Sequence, residues 1–149
     1  MMTKAKVVLA TGAFDLLHYG HYRFLEEAKK SGGRNSKLIV IIARDKTIKK
    51  RKGKRPILPE DQRRALVEAL KPVDQAILGY ERMNIEAVLR KIKPDVIAVG
   101  YDQRDIRKSV EEILRKGRSR VKIVQIGRFG SADLNSSSKI KRRVIEEWR

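Results

Sequence analysis

Val7-Val8-Leu9-Ala10-Thr11-Gly12-Ala13-Phe14-Asp15-Leu16-Leu17-His18-Tyr19-Gly20-His21 is the stretch on which the reading of this chain turns. Lys6 to Thr11 reads as a buried strand, and the turn-prone Gly12-Ala13-Phe14-Asp15 follows it. From about Gly20 the spacing is helical, with Phe24, Leu25 and Ala28 on one face. Ser31-Gly32-Gly33 ends that helix. The next run, Leu38 to Ala43, is apolar without interruption, as in a strand covered on both faces of its sheet.

The same alternation continues to the end of the chain. Pro59 opens a helix carrying Leu66, Val67 and Leu70, and Gln75 to Leu78 is a short strand. Ile85, Val88, Leu89 and Ile92 mark a helix that stops before Pro94, and Val96 to Val99 is a fourth strand. Val110, Ile113 and Leu114 suggest another helix, Val121 to Ile126 a fifth strand, and Ile140, Val144 and Trp148 a last helix. Strand–helix alternation with short connections predicts an α/β fold: a doubly wound, parallel, five-stranded sheet in one domain over residues 1–149. Ligands of such sheets bind beyond the carboxyl ends of the strands, where the strand order reverses. Residues 44–58 break the rhythm, with eight Lys and Arg side chains from Arg44 to Arg55 against one acid, Asp45.

Composition narrows the function classes. The 149 residues predict one domain of ordinary size, and zero cysteines exclude a disulfide framework, thiolate metal sites and Cys nucleophiles. No apolar run is long enough to span a membrane, and no secretory signal precedes the first strand, so the expectation is a cytoplasmic protein. A net charge of +18 invites nucleic acid. An anionic small substrate and a charge-rich surface of thermophilic type compete as blander sources of that charge, and the 5% aromatics are too few for an evident stacking platform.

The chemistry concentrates after the strands. Gly12 permits a tight turn, Gly20 a close backbone approach, and the helix starting near Gly20 offers free N–H groups to an anion. His18 and His21, the two histidines of the chain, both stand at that helix start and can donate to phosphate oxygens. Two surface histidines are the competing reading; a metal pair lacks further ligands nearby. Asn135-Ser136-Ser137-Ser138-Lys139 precedes the last helix, where capping accounts for one serine and an anion site for the others.

Gly12 to His21 resembles the G-x-F-D-x-x-H-x-G-H signature of the cytidylyltransferase-like nucleotidyltransferase superfamily. Ala43-Arg44-Asp45-Lys46-Thr47, Lys52-Gly53-Lys54-Arg55-Pro56-Ile57, Pro59-Glu60-Asp61-Gln62-Arg63-Arg64, Ala69-Leu70-Lys71-Pro72-Val73-Asp74, Pro94-Asp95-Val96-Ile97 and Gly100-Tyr101-Asp102-Gln103 resemble the archaeal FAD synthases. The resemblance implies transfer of AMP from ATP to FMN, giving FAD and pyrophosphate, with a divalent cation (Mg²⁺) and no covalent enzyme intermediate. It implies that His18 and His21 bind ATP phosphates and stabilise the transition state, with Ala13, Phe14, Leu17, Tyr19 and Gly20 along the nucleotide. Asp102 would contact the nucleoside, and Arg128, Ser137 and Ser138 the β- and γ-phosphates, although the spacing after Arg128 departs from the family form. Lys49 and Lys52 are candidates for a phosphate-binding lysine; otherwise their segment is a solvated charge run. Arg63 would bind phosphate or form a structural ion pair. A homodimer is common in the superfamily.

Two alternatives stay open at the level of sequence. Glycerol-3-phosphate cytidylyltransferase, or another small-phosphate nucleotidyltransferase, shares the phosphate machinery. A nucleic-acid-binding protein on this fold would use the basic surface instead.

Overall fold

The computed structural model describes residues 4–80, 84–128 and 136–148. The elements run β1 (Val7–Gly12), α1 (Tyr19–Ser31), β2 (Lys37–Ile42), α2 (Asp45–Lys52), α3 (Glu60–Glu68), β3 (Gln75–Leu78), α4 (Ile85–Ile92), β4 (Val96–Gly100), α5 (Arg104–Lys116), β5 (Lys122–Ile126) and α6 (Ser137–Glu147). All strand pairings are parallel and the order is β3-β2-β1-β4-β5. The order reverses beside β1, so the loop after that strand opens at the switch point.

The continuous apolar strands are explained by cover on both faces. Val8, Ala10, Leu38, Val40, Val96 and Ala98 pack with Leu25 and Ala28 of α1 and Val67 of α3. Leu9, Ile41, Ile97 and Val99 face the other way, against Val110 of α5 and the partly buried Val88, Leu89 and Ile92 of α4. Each such Val or Leu, fully buried, contributes roughly 1.5–3 kcal/mol.

The sequence reading needs one correction here. Residues 45–52 lack an apolar stripe, yet they form α2, which buries a single side chain, Ile48. Glu60 starts it: its carboxylate accepts from the Asp45 N–H at 2.9 Å and from Arg44 Nη1 at 2.9 Å. Gly53, with φ of 75°, ends it in the left-handed conformation.

Arg63 on α3 is fully buried, which is rare for so polar a side chain. Its Nε donates to the Leu58 carbonyl at 2.9 Å, and its Nη1 to the carbonyls of Ala13 and Ala43, each at 2.8 Å. Nη2 reaches Asp45 Oδ1 at 2.6 Å. One guanidinium thereby joins the loop after β1, the end of β2, the start of α2 and the turn into α3. Of the two sequence readings for Arg63, this geometry describes the structural ion pair: a side chain enclosed on all sides presents no donor to a phosphate.

Arg63→Met should lower unfolding free energy by about 3–5 kcal/mol, the usual cost of removing one partner of a buried pair. The lower end applies because Asp45 keeps 34% side-chain exposure and can rehydrate. Chemical denaturation checks this, and an unchanged midpoint would remove Arg63 from the scaffold.

Candidate active site

The loop between β1 and α1 is held in an uncommon shape. Phe14 and Leu16 have φ of 54° and 50°, left-handed values that non-glycine residues adopt at a cost. Phe14 thereby turns its ring inward, where it is buried and packs against His21 (centroids 5.4 Å apart) and Phe24. Gly12 is required for this: a Cβ there would stand 2.7 Å from the Phe14 ring.

His18 is the N-cap of α1 and His21 lies one turn on, so both rings stand at the open end of the helix. The rings stack at 3.7 Å between centroids. His21 Nδ1 accepts from the His18 backbone N–H at 3.3 Å. Its proton in the neutral form is therefore assigned to Nε2, which can donate to a ligand. Burial, then the neighbouring His18 and Lys52 charges, push the His21 pKa down to about 3, against an opposing pull from Asp15. Burial lowers the His18 pKa too. His18 Nδ1 is buried without a hydrogen-bond partner, a polar atom that folding alone does not satisfy.

Lys52 is the member of the basic segment whose charge is felt at His21. Lys49 is exposed on the same helix, α2. Asp15 ties three segments together from beneath. Its carboxylate accepts from the N–H groups of Ile57 (2.7 Å) and Leu58 (2.9 Å), and Lys141 Nζ stands 3.6 Å away. Its backbone carbonyl accepts from the Ser137 hydroxyl. The three serines before α6 thus divide. Ser136 caps the helix by accepting from the Lys139 N–H, Ser137 fastens α6 to the β1–α1 loop, and Ser138 is exposed in the first turn. Asn135, quoted ahead of these serines in the sequence, falls outside the described residues.

On the other side of β1, Gln103 bridges two strand ends. Its Nε2 donates to the Thr11 carbonyl at 2.8 Å and its Oε1 accepts from the Gly100 N–H at 2.8 Å. Asp102 folds back so closely that a Cβ on Gly100 would meet its Oδ1 at 3.0 Å. The Arg128 guanidinium lies over the Tyr101 ring, 5.8 Å from its centroid. Ala13 enters the site through its carbonyl, held by Arg63, while Leu17 packs against the core and Gly20 is half-buried in the first turn of α1. Tyr19 is 64% exposed at the first position of the helix.

Sequence reasoning quoted Asp15 and Gln103 but gave neither a role. The one available signal was a lone carboxylate within the apolar Phe14–Leu17 run. The role of Gln103 depends on β4 lying beside β1, which no local pattern reveals.

A loop, a helix start and two stacked imidazoles thus come together at the switch point of a 3-2-1-4-5 sheet. The chain belongs to the cytidylyltransferase-like family, whose model matches residues 9–143. Among its relatives, the FAD synthase of Ferroglobus placidus is 51% identical over 94% of this chain and 88% of that protein. The FAD synthase of Methanopyrus kandleri is 45% identical over 97% and 95%. A solved structure from Thermoplasma volcanium, described as a lipopolysaccharide core biosynthesis protein, is 41% identical with a TM-score of 0.76. The match covers 85% of this chain and 100% of that one. Among the described residues no helix is long and apolar enough to cross a membrane.

Between about 3 and 6.5 the unfolded chain takes up a proton at His21 that the folded chain refuses. Stability therefore rises with pH across that window and falls on acidification. The His21 ring resonances should show no titration from pH 8 to pH 5, and acid destabilisation should be shallower in His21→Asn. A midpoint near 6.5 in a nuclear magnetic resonance titration would refute the burial argument.

Proposed function

We propose that this chain is an FAD synthase, transferring the AMP group of ATP to FMN with release of pyrophosphate. The observation that carries the reading is the stacked, half-buried His18–His21 pair at the start of α1, within a chain 44–51% identical to FAD synthases over nearly its whole length.

An oxygen of the FMN phosphate attacks the α-phosphorus of ATP; the bond from that phosphorus to the bridging oxygen breaks, and the pair of electrons leaves with pyrophosphate. The protein has little covalent work in such a step. It holds the attacking oxygen in line and stabilises the added negative charge. Neutral His21 donates from Nε2, and the N–H groups at the start of α1 point the same way. Lys52 adds positive charge from α2, and the first turn of α6 with Ser138 offers a second set of donors for the β- and γ-phosphates. Asp102 and Arg128, past β4 and β5, take the nucleoside and triphosphate ends of ATP.

A Mg²⁺ ion fits this site as a companion of the triphosphate. No group of three His, Asp or Glu stands ready for it among the described residues, and Mg²⁺ in phosphoryl-transfer sites relies largely on substrate phosphates and water. It would neutralise phosphate charge when bound.

Purified protein with Mg²⁺ should release pyrophosphate with ATP plus FMN, with FAD identified by chromatography. Release with CTP and glycerol 3-phosphate alone would overturn the acceptor, and silence with every pairing would overturn the activity. His18→Ala and His21→Ala should each lower kcat by about 10²–10³-fold while keeping the far-ultraviolet spectrum of the fold. Wild-type turnover in either would remove that histidine from the chemistry.

A further inference from the structure

The chemistry of FMN leaves one part of the site to be assigned: the surface that takes its planar three-ring system. In-line transfer puts the attacking FMN phosphate and the departing pyrophosphate on opposite sides of the α-phosphorus, so the acceptor needs a surface apart from the one that takes the triphosphate. The two sides of α1 are distinguishable. Glu27, Lys30 and Ser31 face a hollow against Val124–Gly127 at the end of β5. Lys29 turns the other way, with its Nζ 2.8 Å from Asp74, which also accepts from the Leu38 N–H where β2 begins. Positions 22, 26 and 29 share that second side, because residues three and four apart are neighbours on a helix. Tyr22 therefore stands on the side of β2 and β3, away from Asp102 and Arg128, and the ring of Tyr19 lies alongside it. Their rings are 22° from parallel, with centroids 6.5 Å apart. Tyr19, at 64% exposure in the first turn of α1, is a large apolar surface left to solvent beside the reacting groups.

Resting on the FAD synthase reading, we propose that Tyr19 and Tyr22 form the stacking platform for the isoalloxazine ring of FMN, and that they set preference for a flavin over a small phosphate acceptor. The geometry suits the substrate: the phosphate end reaches the imidazoles while the five-carbon ribityl chain lets the ring lie back on the tyrosines. This moves Tyr19 from the nucleotide side, where the sequence resemblance put it, to the acceptor side.

The test is a titration of FMN fluorescence, which stacking on a tyrosine quenches, together with separate KM values for FMN and ATP. Tyr19→Ala should relieve the quench and raise KM for FMN by about tenfold to a hundredfold, the usual effect of removing a stacked aromatic, with KM for ATP within twofold. Tyr19→Phe should restore both, since the platform needs the ring and not the hydroxyl. Tyr22→Ala should act in the same direction, and Tyr80→Ala, exposed past the end of β3, should change neither constant. Tyr101→Ala should raise KM for ATP alone. An unchanged FMN constant in Tyr19→Ala, or a rise in Tyr80→Ala or Tyr101→Ala in its place, overturns the platform while leaving the activity standing. A wild-type protein that neither quenches nor adenylylates FMN overturns the FAD synthase reading itself.

Discussion

The buried guanidinium of Arg63 is the constraint from which the rest of the site takes its shape. A loop carrying left-handed Phe14 and Leu16 would not keep that conformation by local preference. It is held because the Ala13 carbonyl has a donor in Arg63, and the same side chain fixes Ala43, Leu58 and Asp45. Three separate stretches of chain, at residues 13, 43–45 and 58, thus share one planar fork of donors, a role for which the five N–H groups of arginine suit it and a lysine does not. Cationic charge is abundant on this chain, yet the arginine with the largest structural effect is the one that no solvent reaches.

Electrostatics in the site follow from that frame. Packing between Phe14 and the helix start removes water from His21, which keeps it uncharged at neutral pH. A neutral imidazole is a donor whose strength depends on where it points, unlike a diffuse positive charge, and it gains in effect as a phosphate charge grows beside it. Lys52 and the surrounding basic surface then add positive potential at longer range, an effect that salt weakens.

The fold was readable where periodicity was strong. Continuous apolar strands, helices stopped by Gly33 or Pro94, and the histidines after β1 all follow local rules and stand where those rules place them. Alternation could not show α2, because a helix that buries one side chain leaves no stripe; its start is set by Glu60, fifteen residues beyond Asp45. The roles of Asp15 and Gln103 were likewise illegible, and that of Arg63 stayed open between a phosphate contact and an ion pair, since each acts across a gap that only the folded chain closes: Gln103 meets Thr11 across 92 residues and Asp15 meets Ser137 across 122. Tyr19 was visible as a motif residue, but its ring contact with Tyr22 belongs to the folded helix and no local pattern shows it.

The attachment of α6 has a thermal consequence. None of its side chains is buried, and Val144, Ile145 and Trp148 remain open to solvent, so little apolar burial couples this helix to the sheet. What fastens it to the β1–α1 loop is polar: the Ser137 hydroxyl and the Lys141 ammonium on Asp15. Segments of that kind open at free energies well below global unfolding. Amides in α6 should therefore exchange with solvent well before those of β1 and β4, and, on the role proposed for its first turn, catalysis should fade on heating while the sheet is still intact. Two transitions, one functional and one structural, would then separate along the temperature axis.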